Sequence, residues 1–506
     1  MLEPLVLLIL DGWGIAPASS SNAISLAKTP NYLKLIKDFP HTSLDAHGEY
    51  VGLPDSQVGN SEAGHMNISA GRLVVQDSVI ISRTIDDSTF FDNSALTKIA
   101  ELIKSHKSKF HLMGILSGDQ CPHMNPKHLL ALLDFSARQK IKDVVLHFFT
   151  DGRDSPPQSA LLHWQSILSK IKPGVRVGSV SGRLYLDRKR KWSRTEQIYN
   201  LLTLGQTKFR ANSLESAVKQ AYTRGETDEF ISPTLIDNKE LSLIDDKDAV
   251  IFFNLRSDRA RQLTKAFVSN NFNGFKREKA LPNLLFVTMT DFGPRDTLVA
   301  FPSADISSTL PMALSSLRQV YIAETEKYAH ITYFFNGGYE SPVAGEDRIL
   351  VKSPDVKSYD TTPAMSLADI VKISTKNLEN NLYDVYVINI ANPDMIGHTG
   401  NVKVAVTACE EVDKALGQIY RAVNQKGGAL VLTADHGNIE QMIDPITGGP
   451  HTQHTVNKVP FILAVKEFKH KQLKQKVGAS LANIAPTILD LLDLPKPLEM
   501  IGDSLL

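Results

Sequence analysis

Residues 429–455 read ALVLTADHGNIEQMIDPITGGPHTQHT. The run Leu430–Leu432 is short and apolar and lies between glycines and polar residues, so it predicts a buried strand. Asp435 and His436 follow where this strand ends, and the carboxyl ends of strands in an open α/β sheet face the ligand crevice. His454 follows in a loop. Carboxylate and imidazole groups in this pattern can bind one cation, although Asp-His-Gly is also a common turn.

The composition is that of a globular protein with several domains. Of the 506 residues 42% are hydrophobic and 22% charged, and at roughly 150 residues per domain this length predicts two to four domains. Lysine plus arginine and aspartate plus glutamate number 55 each, so we expect neither a nucleic acid nor a membrane as partner. The first apolar run is interpreted as a buried strand rather than a signal peptide. Cys121 and Cys409 lie far apart, which fits a reducing compartment, and we expect the cytoplasm.

Two further predicted strands end in acidic side chains. Residues 5–10 form an apolar run that Asp11 follows at once. Residues 384–391 form another, and the Asn-Pro pair after it predicts the start of a helix. In that helix Asp394 and His398 are four residues apart, so both side chains lie on one face and can bind the same ion. Three strand ends with carboxylates favour a metal site over unrelated turns.

A glycine-rich loop at residues 52–72 contains Ser61. Glycines allow a backbone to approach a ligand closely, and a serine among them can present its hydroxyl group. The loop therefore predicts a nucleophile or a phosphate-binding segment, although a glycine-rich loop with one serine is by itself weak support.

Residues 76–300 alternate between predicted strands and helices, and polar groups follow four of the strands. The strands are predicted at residues 110–116, 144–149, 175–180 and 249–254. Their ends carry His123, Arg153 with Asp154, Arg183 with Arg188, and Arg256 with Arg259. Guanidinium groups bind phosphate and carboxylate through paired hydrogen bonds. A single arginine of this kind is usually a solvated surface charge, so it is the repetition at successive strand ends that predicts an anion site.

The rest of the chain adds one cation and several elements. Lys327 precedes a predicted strand at residues 331–335 and is a further positive charge near the cleft. Helices are predicted at residues 22–37, 402–425 and 484–494.

The possible ligands are too numerous for one tetrahedral metal, which predicts two metal ions. They are Asp11, Ser61, Asp394, His398, Asp435, His436 and His454. Carboxylates and imidazoles without a thiolate suit Mn²⁺, Zn²⁺ or Co²⁺. Two cations can hold a phosphoryl group between them and lower the pKa of a serine hydroxyl.

The sequence resembles the cofactor-independent phosphoglycerate mutases, a family of the alkaline phosphatase superfamily, in motifs along nearly the whole chain. These motifs are LDGWG (10–14), QVGNSEAGH (57–65), TDGRDSPP (150–157), NLRSDRARQ (254–262), EKYAHIT (326–332), NPDMIGHTG (392–400) and TADHGN (433–438). The resemblance implies an α/β fold with an alkaline-phosphatase-like metal-binding domain at residues 1–75 and 301–506. A second α/β domain, for phosphotransfer and substrate binding, would be inserted at residues 76–300.

The resemblance also implies the site residues. One Mn²⁺, or another divalent metal, would be bound by Asp394, His398 and His454, and a second by Asp11, Ser61, Asp435 and His436. Ser61 would carry the phosphoryl group, and Asp154 would act as general acid and base. The substrate would be held in the inserted domain by His123, Arg153, Asp154, Arg183, Arg188, Arg256, Arg259 and Lys327. His451 matches a loop histidine that is not one of the family's usual ligands.

The implied activity is the interconversion of 3-phosphoglycerate and 2-phosphoglycerate in glycolysis and gluconeogenesis, through a phosphoserine and without 2,3-bisphosphoglycerate. Closure of the inserted domain about hinges near Gln76 and Phe301 would exclude water, the competing acceptor. The rival interpretations are a metal-dependent phosphatase, a phosphopentomutase, and a binding protein that keeps metals for stability. Several arginines favour a small acid over a sugar phosphate, and a structural metal site would not need an exposed serine nucleophile. We expect a monomer.

The chain departs from the family pattern at two places. Residues 118–124 read GDQCPHM where the family usually has a Gly-Gly-Val-His-Ser-His type sequence, so the surroundings of His123 differ. The segment between Arg183 and Arg188 is one residue shorter than usual. Arg190 is therefore an alternative to Arg188 as a substrate contact.

Overall fold

The computed structural model describes residues 4–55, 57–237, 242–294, 297–303, 306–356, 358–474 and 478–506. Its strands are β1 (Leu5–Leu10), β2 (His41–Leu44), β3 (Phe110–Leu116), β4 (Val144–Thr150), β5 (Val175–Gly182), β6 (Phe209–Ala211), β7 (Thr234–Ile236), β8 (Ala249–Phe252), β9 (Leu285–Thr288), β10 (Leu298–Val299), β11 (Gln319–Glu324), β12 (Glu346–Val351), β13 (Val385–Ile390), β14 (Ala429–Thr433) and β15 (Val459–Ala464). Its helices are α1 (Ala23–Leu26), α2 (Pro30–Asp38), α3 (Ser61–Ala70), α4 (Asp77–Asp86), α5 (Ser94–His106), α6 (Pro126–Arg138), α7 (Ala160–Leu168), α8 (Trp192–Leu204), α9 (Leu214–Thr223), α10 (Ser257–Val268), α11 (Leu310–Ala313), α12 (Leu367–Glu379), α13 (Asn392–Gly397), α14 (Val402–Gln425) and α15 (Ile484–Leu491).

The chain forms two compact units. Unit 1 comprises Met1–Gln76 and Asp305–Leu506, and unit 2 comprises Asp77–Ala304. Each unit has its own sheet and its own hydrophobic core, so the predicted α/β fold with a second α/β segment inserted into the first is confirmed. The functional roles given to the two domains stay predictions. Within the described ranges, no helix combines the length and apolar character needed to cross a membrane.

The sheet of unit 1 has the strand order β12-β11-β13-β1-β14-β15-β2. The neighbours from β12 to β14 are parallel, whereas β15 is antiparallel to β14 and β2 antiparallel to β15. All six residues of β1 are buried. A central parallel strand has no solvent-facing side, which explains why LVLLIL is apolar without alternation.

The sheet of unit 2 has the strand order β10-β9-β8-β3-β4-β5-β7-β6. Its central strands β8, β3, β4 and β5 are neighbours and run parallel. Their carboxyl ends therefore lie along one edge of the sheet. These are the strand ends to which the sequence assigns His123 and the arginines.

Two predicted elements differ in the structure. His330–Phe334 forms a π-helical turn rather than a strand, and Phe335 N donates to His330 O at 3.0 Å. The position beside β13 is already taken by β11, which pairs with both β12 and β13. The helix predicted at 22–37 is divided into α1 and α2, because Pro30 begins a new helix.

Candidate active site

The acidic strand ends of unit 1 meet at one edge of its sheet. The strands β11, β13, β1 and β14 lie side by side and parallel. Asp11 follows β1, Asp435 follows β14, and Asp394 lies in the first turn of α13, just after β13. No more than 1% of any of these three residues is exposed. The sheet thus concentrates negative charge at one buried point.

Asp394, His398 and His454 form one group whose ligand atoms all lie within 4.8 Å of one another. The Nε2 atoms of His398 and His454 are 3.3 Å and 3.1 Å from Asp394 Oδ1. The Nδ1 atom of each ring is 2.8 Å from a backbone carbonyl, that of Thr452 for His398 and that of Gly59 for His454. Because a carbonyl only accepts, each Nδ1 carries a proton, and each Nε2 offers a lone pair when the ring is neutral. Both rings therefore direct Nε2, the atom that can bind a cation, at Asp394.

Asp11, Asp435 and His436 form a second group, with ligand atoms again within 4.8 Å of one another. His436 Nε2 is 3.7 Å from Asp11 Oδ1 and 3.4 Å from Asp435 Oδ2. Burial and the charge of Asp435 raise the pKa of Asp11 to about 7. Two buried carboxylates close together favour a bound cation, which would reduce their repulsion.

Ser61 lies beside the second group, as the first residue of α3. Its Oγ is 3.0 Å from His436 Nε2 and 3.5 Å from Asp11 Oδ1. The Asn60 side chain caps the helix by accepting from Ala63 N at 2.9 Å. The positive end of the helix dipole therefore points at Ser61 and favours negative charge on its oxygen or on an attached phosphoryl group.

Lys327 lies in unit 1, between the two groups. Its Nζ is 2.6 Å from both Asp11 Oδ1 and Asp394 Oδ2, and it donates to Ser61 Oγ at 2.8 Å. Burial disfavours the charged amine, but the carboxylates outweigh this effect and raise the pKa of Lys327 above its ordinary value. The interpretation that Lys327 lies in the inserted domain is therefore wrong, because the turn after β11 carries it to the metal-ligand edge of unit 1.

Three buried side chains that the sequence reasoning did not assign hold the carboxylates in place. The contacts are Asn389 Nδ2 to Asp11 Oδ2 at 2.8 Å, Asn438 Nδ2 to Asp394 Oδ1 at 2.7 Å, and His65 Nδ1 to Asp435 Oδ2 at 3.2 Å. Such partners orient metal ligands and tune their basicity. Signals existed in the sequence, since His65 is one helical turn after Ser61 and Asn389 interrupts an apolar strand.

Glu440 connects the loops that surround the site. Its buried carboxylate accepts from Gly14 N at 3.1 Å, Asn438 N at 2.7 Å and Asn457 Nδ2 at 2.9 Å, and from the hydroxyl of Thr455. These groups belong to the loop after β1, the loop after β14 and the segment before β15. One carboxylate thus sets the relative positions of three loops.

Arg183 is the centre of a buried polar cluster in unit 2. It is 2% exposed, and its Nη1 donates to Asp154 Oδ2 at 2.6 Å and also to Asp151. Asp151 accepts in addition from Ser117 Oγ at 2.7 Å. Arg259 donates to the Arg183 carbonyl at 3.1 Å. The cluster fixes the guanidinium of Arg183 beside Asp154.

His123 lies between two carboxylates at the same edge. Its Nε2 is 3.8 Å from Asp154 Oδ2, and its Nδ1 is 3.7 Å from Asp258 Oδ1. Burial lowers the pKa of His123 to about 3, so the imidazole is neutral at neutral pH. Arg188 joins this group because its Nη1 donates to Asp258 Oδ2 at 2.9 Å.

The other predicted substrate residues of unit 2 lie at the same strand ends. Arg153 follows β4. Its side chain is 54% exposed, and its Nη1 is 3.9 Å from Glu229 Oε1. Arg256 immediately precedes α10. Arg190 has a left-handed backbone with φ of 58°, and its N–H donates to the Gln262 side chain. Arg188 rather than Arg190 is therefore the side chain found bonded beside His123.

A third set of close ligand atoms, from Cys121, Asp151 and Asp154, has a different character. Arg183 already bonds to both carboxylates. Burial raises the pKa of the Cys121 thiol above its ordinary value, and a protonated thiol is not the form that binds metals. We therefore interpret this set as part of the arginine cluster.

Comparisons with known proteins show the family to which the chain belongs. Residues 3–496 match the model of the Metalloenzyme superfamily. The chain is 45% identical to 2,3-bisphosphoglycerate-independent phosphoglycerate mutase 1 of Methanosarcina acetivorans, over 100% of this chain and 98% of that protein. It is 46% identical to the 2,3-bisphosphoglycerate-independent phosphoglycerate mutase of Clostridium novyi, over 99% of each. A crystal structure of Leishmania mexicana phosphoglycerate mutase at low cobalt concentration is similar with a TM-score of 0.85 and 27% identity, over 100% of this chain and 98% of that one.

Proposed function

The chain belongs to the family of 2,3-bisphosphoglycerate-independent phosphoglycerate mutases, and from this membership we infer that it is an isomerase that interconverts 3-phosphoglycerate and 2-phosphoglycerate. The resemblance seen in the motifs is thereby confirmed. The relatives carry this name rather than that of a phosphatase or a phosphopentomutase. In the structure, the observation that best supports the activity is the Ser61 hydroxyl, held at a helix N-terminus beside a group of cation ligands.

The enzyme depends on divalent metal ions, as the Metalloenzyme family implies. We propose two Mn²⁺ ions, one bound by Asp394, His398 and His454 and the other by Asp11, Ser61, Asp435 and His436. The residues fit this role because carboxylate oxygens and imidazole nitrogens converge without a thiolate. When bound, the ions neutralise charge on phosphoryl oxygens and lower the pKa of the Ser61 hydroxyl.

Ser61 is proposed to accept the phosphoryl group and to return it to the other hydroxyl of glycerate. Its Oγ forms a bond to phosphorus while the bond from phosphorus to the glycerate oxygen breaks. The N-terminus of α3 and the ammonium of Lys327, 2.8 Å from Ser61 Oγ, place positive charge where the phosphoryl group would be held. In the second step the other glycerate oxygen attacks phosphorus and frees Ser61.

Asp154 is proposed to protonate the leaving glycerate oxygen and to take the proton from the attacking one. It lies at the edge of unit 2 beside Arg183 and His123, with 27% of its side chain exposed. The guanidinium groups at this edge are proposed to grip the glycerate carboxylate while the molecule turns.

A cytoplasmic location and a monomeric state are also proposed. Cys121 and Cys409 are buried, free thiols, which fits a reducing compartment. Sedimentation of the purified protein, with and without Mn²⁺, tests the monomeric state.

The activity is tested by phosphorus NMR of the purified enzyme with 3-phosphoglycerate and Mn²⁺, without 2,3-bisphosphoglycerate. We expect resonances of 2-phosphoglycerate to grow without inorganic phosphate. Inorganic phosphate as the only product would instead indicate a phosphatase.

The role of Ser61 is tested by Ser61→Ala. We expect mutase activity to fall below detection with an unchanged unfolding temperature, because the oxygen that accepts the phosphoryl group is lost. Ser166→Ala, at an exposed position of α7, serves as the control and should keep full activity. An active Ser61→Ala protein would exclude the phosphoserine route.

A further inference from the structure

We propose that Asp258 is a positioning residue that orients two substrate contacts at once, His123 through Oδ1 and Arg188 through Oδ2. This inference rests on the proposed function. It assigns a role to a side chain that neither the strand-end pattern nor the implied substrate set includes.

Asp258 lies in the first turn of α10, which follows β8 after a short loop. Its Oδ1 faces His123 Nδ1 at 3.7 Å. Both atoms are buried, and neither has a hydrogen-bond partner among the residues that the structure describes. At 3.7 Å the two atoms attract each other electrostatically and are not yet hydrogen-bonded. The two atoms are therefore each other's natural partner.

The pairing determines which nitrogen of His123 carries the proton. A carboxylate only accepts, so the proton of the neutral ring lies on Nδ1, facing Asp258. Nε2 then offers a lone pair on the side of Asp154, whose Oδ2 is 3.8 Å away. A lone pair accepts from a hydroxyl and is repelled by anionic oxygens. Nε2 of His123 would thus accept a hydrogen bond from a glycerate hydroxyl or from protonated Asp154. It would not contact the phosphate or the carboxylate of the substrate.

The second oxygen of Asp258 holds Arg188. Arg188 Nη1 donates to Oδ2 at 2.9 Å, although 42% of the arginine side chain is exposed. An exposed arginine samples many rotamers, and this bond restricts it to the edge where His123 lies. Asp258 remains ionised there, because the positive charges of Arg256 and Arg188 outweigh the effect of its burial and lower its pKa. Both oxygens are therefore available as acceptors.

Asp258→Asn tests the double role, because an amide has one acceptor atom and one donor atom. It can satisfy His123 or Arg188, but its NH₂ group cannot accept from the other. We expect kcat/KM for 3-phosphoglycerate to fall about tenfold or more, as for the loss of a hydrogen bond to a charged group. The control is Asp237→Asn, which removes another aspartate of unit 2 that pairs with an arginine, Arg210, at 3.2 Å on the exposed surface. It should leave kcat/KM unchanged.

Double variants separate positioning from a general structural effect. Asp258→Asn is combined with His123→Asn and, separately, with Arg188→Ala. If Asp258 acts through these residues, each double variant loses less activity than the product of its two single losses. The proposal would be overturned if the loss of kcat/KM in both double variants equalled the product of the two single losses. An Asp258→Asn enzyme within twofold of wild-type kcat/KM would also overturn it. Where Asp258→Asn does not fold, Asp258→Glu replaces it, since the longer side chain keeps the charge but displaces both oxygens.

Failure of the proposed function has a different signature. A wild-type protein that makes no 2-phosphoglycerate would overturn the mutase assignment, and this inference with it. An active wild-type enzyme that is insensitive to Asp258→Asn would overturn this inference only.

Discussion

Lys327 balances the buried negative charge of unit 1. Its ammonium group contacts Asp11 and Asp394 at 2.6 Å each, and 5% of its side chain is exposed. A buried charge that loses its partner is costly, because the low-dielectric interior does not solvate it. The same atom also reaches Ser61 Oγ, so one side chain contributes to stability and to the proposed phosphoryl site.

Lys327→Met in the metal-free protein is expected to lower the free energy of unfolding by about 3 kcal/mol or more, since two buried carboxylates lose their countercharge. Urea unfolding with chelator present measures this. The matched control, Lys458→Met, removes a lysine that pairs with Asp45 at 3.0 Å but whose side chain is 48% exposed. This variant is expected to lose about 1 kcal/mol or less of its free energy of unfolding. Equal losses in the two variants would contradict the balancing role.

Glu324 makes stability depend on pH. It is 1% exposed at the end of β11, and burial raises its pKa from 4.5 to about 7. A raised carboxyl pKa favours the folded state below pH 4.5, and this contribution is lost as the pH rises through 7. We expect the free energy of unfolding of Glu324→Gln, relative to that of wild type, to increase as the pH rises from 4.5. The increase should reach roughly 3 kcal/mol at pH 8. Urea unfolding of both proteins from pH 4.5 to pH 8 tests this, and a constant difference would contradict it.

At the scale of elements, strand order is what assembles the site. The segments after β1, β13 and β14 are far apart in the chain but adjacent in the sheet, and α3 delivers Ser61 to the same point. The loops between them need a common anchor, and Glu440 supplies one. A methyl group at Gly14 would lie 2.2 Å from the Glu440 carboxylate carbon, so glycine is required for this close approach.

Glu440→Gln is expected to destabilise the protein by about 2 kcal/mol. The glutamine NH₂ group is a donor and cannot accept from the backbone N–H groups that the lost carboxylate oxygen served. Metal affinity should fall as well, since the loops with the ligands lose their anchor. Thermal unfolding and metal titration calorimetry measure the two effects. Glu411→Gln on α14 removes an exposed i,i+3 pair with Lys414 and should cost less than about 0.5 kcal/mol.

At the scale of the whole molecule, metal binding is expected to stabilise unit 1 selectively. The proposed ligands all lie in unit 1, and a ligand that binds only the folded state adds about 2.7 kcal/mol at 100 times its Kd. Calorimetric scans with Mn²⁺ and with chelator should differ in the transition of unit 1. His454→Ala should reduce the shift, because it removes one ligand from one group, and an unchanged shift would exclude His454 as a ligand.

Much of the fold was predictable because the central strands are contiguous apolar runs. β1, β3 and α14 have the bounds expected from the sequence, since hydrophobic periodicity directly reflects burial. The predicted strand at 331–335 is wrong because a short aromatic and β-branched run is also compatible with a buried turn. Only the sheet pairing shows that β11 already occupies that position.

The sequence by itself determined the fold class, the family and the chemical types at the strand ends, because apolar runs and catalytic motifs are local patterns. The resemblance already implied the two ligand sets, but only the tertiary structure decided which side chains are in contact. It placed Lys327 between the carboxylates of unit 1 and Asp258 beside His123. These are contacts between side chains distant in the chain, and they depend on strand order and rotamers, which no local pattern encodes.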